Sequence, residues 1–490
     1  MHLKSVDADD PSTLGDASGG PADRQAVNSL LSLGGGAIAA RLVAFLGTAY
    51  LARVLGPTSF GIIGFALALT QYFRLAVDGG FNQVGAREVA THPNRMVEMA
   101  TSVILFRLLL ASGAIVLLGL IALVLPKPVD VRLVVFLMGL EFFTLAVDTS
   151  WVYKGLERNR PVGLALVIAE VVSVIGLVTF VSSPDDVVVA PLTFVGGQLV
   201  AAVYLAWPLF RGKRVAGRVR EGYQLFKSAG ALMIIKLMRV IFFSFDVLLL
   251  GFILGELAVG LYTAAYRICF VVTALGVALT FSYLPEFTRA IRQNRGDAGE
   301  VANRSLELAS ALAFPLVVGG VLLARPLLSF VFGEPYAEAA VAFQLLLPSV
   351  GLILLRSTPG NVLLAHDRLR QDMWIFVTAT TLNLILNIVL IPRFGITGAA
   401  AATLISETLN TLLGFVMSTR LGVPVSLRPF TKSMIAASVM AGVLLLIGPS
   451  LHVAFRVLFG GLTYVLVLTL IRGIPLDVRH HVRALLARLR

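Results

Sequence analysis

The stretch Glu98–Val124, EMATSVILFRLLLASGAIVLLGLIALV, decides the fold. Past its first five residues it holds one charge, Arg107, in an otherwise nearly unbroken apolar run. A helix needs about 20 mostly apolar residues to cross the hydrocarbon of a bilayer, and this run supplies them. The same reading along all 490 residues gives fourteen candidate spans. They lie near 28–50, 60–82, 98–124, 131–153, 162–182, 190–210, 228–252, 260–284, 304–332, 341–364, 373–391, 397–419, 431–448 and 452–472. The ninth carries Pro315 and Pro326 and is expected to kink or break.

Composition agrees. Hydrophobic residues make up 57% and charged residues 14%, and the mean hydropathy is +0.88. A soluble domain has about 45–50% apolar and about 25% charged residues. Soluble enzymes are therefore excluded. Cys269 is the single cysteine, so neither an intrachain disulfide nor a cysteine metal cluster can form. The sequence has no metal-binding histidine spacing, no phosphate-binding Walker loop and no nucleophile elbow. No catalytic residue, metal or cofactor is expected.

The net charge of +12 invites a nucleic-acid reading. The placement of the basic residues argues otherwise. With the N-terminus inside, the inner segments hold 27 Lys and Arg. The outer loops hold 4, namely Arg53, Lys127, Arg132 and Arg393. Such an excess on one side orients a membrane protein, with the basic loops at the anionic inner leaflet. It predicts a multi-pass protein of a bacterial-type inner membrane with both termini cytoplasmic. Trp151, Trp207 and Trp374 fall at predicted cytoplasmic helix ends, where an aromatic belt would place them.

Two repeats divide the chain. LGPTSFG at Leu55 and LGELAVG at Leu254 share the pattern LGxxxxG. ERNR at Glu157 and DRLR at Asp367 each occupy a short inner loop before an apolar span. The offsets, 199 and 210, are nearly equal. An even number of spans per unit gives the two halves the same orientation, as in transporters that rock two bundles about a central site. The expected architecture is all-α, with two parallel six-helix lobes around a central cavity and two C-terminal helices. The boundaries are a disordered cytosolic tail (1–27), a first lobe (28–212), a basic cytoplasmic linker (213–227), a second lobe (228–420), two extra spans (421–475) and a basic amphipathic tail (476–490).

Charges inside spans mark the candidate site. A charge at mid-bilayer costs at least about 2.5–3.5 kcal/mol, so it faces a cavity or a partner. Arg74 and Asp78 stand four apart and can also pair along one helix. Lys236, Arg239 and Asp246 follow helical spacing and are expected to face the cavity. Arg41 and Arg267 have no acid within four residues on their own helix. A planar guanidinium of that kind suits phosphate oxygens or pairs with an acid on another helix. Glu170 and Glu407 read as such partners or as proton carriers. Arg107, Glu141, Asp148 and Arg356 are equally deep, with nothing local to separate their roles.

ARVLGPTSFGIIGFALAL (52–69), VGLYTAAYRI (259–268), LPEFTRAI (284–291), SFVFGEPYAEAAVAFQLLLP (329–348) and IPRFGITGAAAATLISE (391–407) carry a resemblance. Over about 28–420 the chain resembles the polysaccharide (Wzx-type) flippases of the multidrug/oligosaccharidyl-lipid/polysaccharide exporter superfamily. The resemblance implies two lobes in a V around a cationic cavity. It also implies transfer of a polyprenyl-pyrophosphate-linked oligosaccharide from the inner to the outer leaflet, for surface polysaccharide biosynthesis, beside a polymerase and glycosyltransferases. Arg267, in the YRI segment, is the residue it best carries over. Arg41 and Arg74 match by position. A peptidoglycan-precursor (lipid II) flippase and a multidrug cation antiporter of the same superfamily are the alternatives. Nine basic against seven acidic residues in the spans count against a cation cargo. A polymerase or ligase would need a large outer loop, and no outer loop here exceeds roughly a dozen residues.

Overall fold

The computed structural model describes residues 21–213, 216–293, 297–424, 426 and 428–473. The first twenty residues and the basic C-terminal tail lie outside the described residues.

The first half holds α1 (Pro21–Asp78), α2 (Phe81–Thr91), α3 (Met96–Val124), α4 (Val129–Met138), α5 (Glu141–Val147), α6 (Ser150–Gly155), α7 (Asn159–Phe180) and α8 (Ala190–Phe210). α9 (Val219–Ser228) connects it to α10 (Gly230–Leu254), α11 (Glu256–Phe281), α12 (Leu284–Arg292), α13 (Ala298–Leu322), α14 (Ala324–Phe332), α15 (Ala340–Ala365) and α16 (Leu369–Arg420). α17 (Arg428–Ile447) and α18 (Val453–Leu470) follow. A helix satisfies its own backbone groups, and without water in the hydrocarbon little else can span it. Ten helices among the described residues are long and apolar enough to cross a membrane. The protein is a multi-pass, all-helical membrane protein.

Breaks in the helices carry much of the information. α1 folds at Gly56, φ 71° and ψ 172°, and Pro57 restarts it. Gly255, between α10 and α11, adopts φ 83° and ψ −174°. The two LGxxxxG segments thus share one turn, in a backbone region open to glycine. Glu157 and Asp367 share φ values of 58° and 57°. In both, the next N–H reaches back five residues, Arg158 to the Tyr153 carbonyl at 2.9 Å and Arg368 to that of Leu363 at 2.8 Å. That is a Schellman cap. α16 folds at Gly395, φ 59°. Turns 56 and 255 lie at one end of the spans; caps 157 and 367 lie at the other.

Several expectations change in detail. The span 131–153 is split into α4, α5 and α6, with Asp148 extended between the last two. The ninth span runs through Pro315 and breaks at Leu323, before Pro326. Residues 21–27 are the first turns of α1, and much of the basic linker is α9, docked on α3 with Ser102 Oγ bonded to Glu221 at 3.1 Å. Trp151 sits at no interface: it is fully buried, against Gly85 and among Phe81, Val89 and Val152. Trp207 and Trp374 are exposed.

The halves meet along α1, whose contacts run to α10 and α11. Near the 56/255 end the joint is symmetric. A methyl group on Gly61 would strike the Glu256 carbonyl, and one on Gly260 would strike that of Pro57. Each glycine therefore meets the residue equivalent to its partner's neighbour, as an axis along the spans requires. Phe65 packs on Phe252 with ring centroids 5.3 Å apart, and Phe60 on Tyr336 at 6.1 Å. α17 and α18 stand outside the pair, with the Tyr464 hydroxyl donating to the Ala311 carbonyl of α13 at 3.0 Å.

Candidate functional site

Toward the 157/367 end, the first half encloses a pocket of about 320 Å³. α1, α2, α5, α6, α7 and α8 line it, and one wall is charged. Arg74 Nη1 lies 3.4 Å from Glu141 Oε2. Asp78 accepts from Lys236 Nζ at 2.5 Å, from Asn82 at 3.0 Å and stands 3.6 Å from Arg107 Nη2. Lys154 donates to Asn82 Oδ1 at 3.2 Å. Ala165 and Ala169 of α7 and Ala201 and Ala202 of α8 add small apolar lining, with Gln198 of α8 beside them.

Arg107 organises this wall from behind. It is fully buried. Its Nη1 donates to the carbonyls of Leu145 and Asp148, both at 3.2 Å, and its Nη2 to that of Asp78 at 3.1 Å. These carbonyls lie where α1 and α5 end, and that of Leu145 also accepts from the Asp148 N–H at 3.3 Å. A cation there complements both helix dipoles. Its carbon stands 4.9 Å from the centre of the Phe81 ring, a cation–π contact.

The sequence-chosen residues divide into groups. Arg74 and Asp78 do not pair with each other: tertiary partners on α5, α3 and α10 take them instead. Glu170, on α7, lies within electrostatic reach of Arg267 on α11 and of Arg74. One carboxylate thus faces cations of both halves. Arg41 and Arg239 are exposed. Asp246 stands apart from the cations it was grouped with. It is buried, and accepts from the Tyr262 hydroxyl at 2.6 Å and from the Val247 N–H at 2.8 Å. Glu407 is buried too, accepts from Asn410 at 3.1 Å and faces Arg356. Arg356 in turn contacts Asp372 and lies 3.4 Å from Asn410. Asn82, Lys154 and Gln198 are site residues that the sequence did not indicate. Asn82 is the last residue of one candidate span and Lys154 the first beyond another, and nothing in the chain's order announces that the pocket closes over them.

At the 56/255 end, the halves are latched. Lys127 Nζ donates to Glu256 Oε1 at 2.9 Å and to the Gly251 carbonyl at 2.5 Å. Arg53 donates to the carbonyls of Phe330 and Val331, the latter at 2.9 Å. The Tyr336 hydroxyl donates to the Ala52 carbonyl at 2.9 Å. At the other end Lys236–Asp78 is a contact between halves.

Two halves closed at one end and a charged pocket toward the other describe a transporter. Residues 26–291 match the model of the family described as polysaccharide biosynthesis protein. The chain belongs to this family. It is 25% identical over 390 residues to an Escherichia coli K12 protein named as an O-antigen transporter, covering 76% of this chain and 92% of that one. It is 27% identical over 445 residues to AglR of Haloferax volcanii, named as a flippase, covering 86% and 90%. Its fold is similar to that of the lipid II flippase MurJ in an inward closed conformation, with a TM-score of 0.72, 14% identity and coverage of 90% and 98%. It also resembles an inward-facing multidrug resistance transporter of the MATE family and MOP superfamily, with a TM-score of 0.64, 14% identity and coverage of 78% and 94%.

Proposed function

We propose that this chain is a flippase that carries a polyprenyl-pyrophosphate-linked oligosaccharide from the inner to the outer leaflet of a bacterial-type inner membrane. It works by alternating access, for surface polysaccharide biosynthesis. It crosses the membrane fourteen times, counting both arms of α1 and of α16 and the segmented run α4–α6, with both termini cytoplasmic. The 56/255 end is then the outer one. The latches at that end hold the outer side shut while the pocket opens inward. The chain catalyses no covalent step. The lipid-linked substrate comes from glycosyltransferases and passes to a polymerase outside.

One observation carries the assignment of the site. Glu170, beside the pocket, lies within electrostatic reach of Arg74 in its own half and of Arg267 in the other. A pyrophosphate arriving there competes with Glu170 for both guanidinium groups. The ligand is held by several partly offset contacts, which favours release after transfer. Arg41 and Arg239, exposed on α1 and α10, extend the cationic surface. Lys236, tied to Asp78, is freed when the halves separate. Asp78, Glu170, Asp246 and Glu407 are the candidate carboxylates for ion coupling. The relatives named for O-antigen transport and glycan flipping support polysaccharide over a peptidoglycan precursor or a drug cation.

Replacement of Arg267 tests this. Arg267→Ala is expected to abolish glycan export at normal protein abundance, and Arg267→Lys to keep part of it. A point charge attracts phosphate but lacks the bidentate fork. Full export by a well-expressed Arg267→Ala protein would remove Arg267 from the site.

A further inference from the structure

The pocket in the first half and the Arg267 group differ in charge, and this difference separates two tasks. Around the pocket stand Arg74, Lys154, Arg107 and Lys236 against Asp78, Glu141 and Asp148. Most of these charges are already spent on one another. A pyrophosphate placed here would face three carboxylates in a region of low dielectric, where like charges repel strongly. The pocket is therefore a poor anion site, although cations line it.

What remains unspent is hydrogen-bonding capacity. Gln198 projects a carboxamide, with two donors and an acceptor, into the pocket. Thr144 and Ser150, whose hydroxyls donate to the Glu141 carbonyl and the Asp148 carboxylate, keep acceptor lone pairs, and Lys154 keeps further N–H donors. Ala165, Ala169, Ala201 and Ala202, with Leu166, supply apolar lining. The volume equals that of about ten waters and sits at the lower end of the range for ligand pockets. A carboxamide, an ammonium group and hydroxyl acceptors set among small apolar side chains fit a ring with hydroxyls at its rim and C–H groups on its face.

We propose that this pocket is a sugar subsite, which takes a neutral, hydroxyl-rich ring of the oligosaccharide while the pyrophosphate stays with Arg267. The assignment rests on the flippase reading above. It gives the first half a role in choosing the glycan and leaves the anion to the joint between the halves. Gln198 is a binding residue through its carboxamide, and Arg107 is a positioning residue that holds the charged wall.

The experiment pairs export with binding. A deletion strain of the source organism is complemented with Gln198→Leu and with a graded series at Ala165, to Ser, Leu and Phe. Export of the surface glycan and protein abundance are measured. Each purified protein is then titrated with undecaprenyl pyrophosphate, which carries no sugar. Gln198 forms no bond to the rest of the protein that its loss would break, so it guards against misfolding at Ala165. Gln198→Leu, Ala165→Leu and Ala165→Phe are expected to lose at least tenfold in export, in order of bulk at 165, with normal abundance and unchanged binding of the sugar-free lipid. Ala165→Ser is expected to lose least in the series. Wild-type export by both Gln198→Leu and Ala165→Phe overturns the subsite. So does a parallel loss of sugar-free lipid binding, since the pocket would then hold phosphate. Arg267→Ala is the control for the reading beneath: it should weaken the sugar-free lipid at least tenfold. If it does not, the phosphate assignment falls and the sugar subsite is judged by the pocket variants alone.

Discussion

Arg107 shows how one residue gains its meaning. In the sequence it interrupts an apolar run, with nothing local to separate its roles. In the structure it donates to three carbonyls where two helices stop. Removing one partner of a buried charge network typically costs about 3–5 kcal/mol, because the others are left unpaired. Arg107→Ala is expected to lower the thermal unfolding midpoint in detergent and to reduce abundance in the membrane. Arg107→Lys should recover little, since one ammonium cannot reach three carbonyls in a plane. An unchanged unfolding midpoint in Arg107→Ala would show that water replaces the guanidinium. Cys269 is a buried packing residue.

Among the elements, the joint of α1 with α11 has the least tolerance. Gly61 and Gly260 let two backbones touch, and a larger side chain at either pushes the arms apart. Gly61→Leu and Gly260→Leu are each expected to stop transport by holding the outer end open. A gain in labelling of nearby cysteines from outside would report this. The Lys127–Glu256 pair is half of the same closure. Both side chains are largely buried, so reversal of one charge places two like charges together. Lys127→Glu should therefore lose export severalfold, and Lys127→Glu with Glu256→Lys should regain much of it. If the double variant exports no better than the single one, the pair is incidental to closure.

At the scale of the molecule, orientation and motion are the open properties. The asymmetry of 27 to 4 basic residues predicts that positions 217 and 296 are cytoplasmic and that 185 and 334 are outside. Single cysteines at these sites, in a Cys269→Ala background, can be labelled from the outer face of intact cells. Labelling of 217 but not of 185 would invert the topology. Alternating access requires the outer contacts to part. A short thiol linker between Arg53→Cys and Val331→Cys, which replaces the Arg53 contact with α14, should stop transport, and its cleavage should restore it. Undiminished transport with the linker intact would show that the outer end does not open there.

The sequence by itself determined the solvent, the element type and the duplication. Each is written in local order: apolar runs of span length, loops sorted by charge, and repeated turn residues that impose the same φ at Gly56 and Gly255 and at Glu157 and Asp367. It also found the chemistry-bearing residues inside the spans, because the cost of burying charge makes them rare. It could not pair them. Arg74 and Asp78 satisfy the helical spacing rule, yet their partners lie on other helices, since the packing of α3, α5 and α10 brings stronger contacts than one turn of helix offers. Nor could it separate Asp246, held by Tyr262, from the cations spaced beside it. Pairing depends on the rotation and crossing of helices far apart in the chain, and only the tertiary structure decides those.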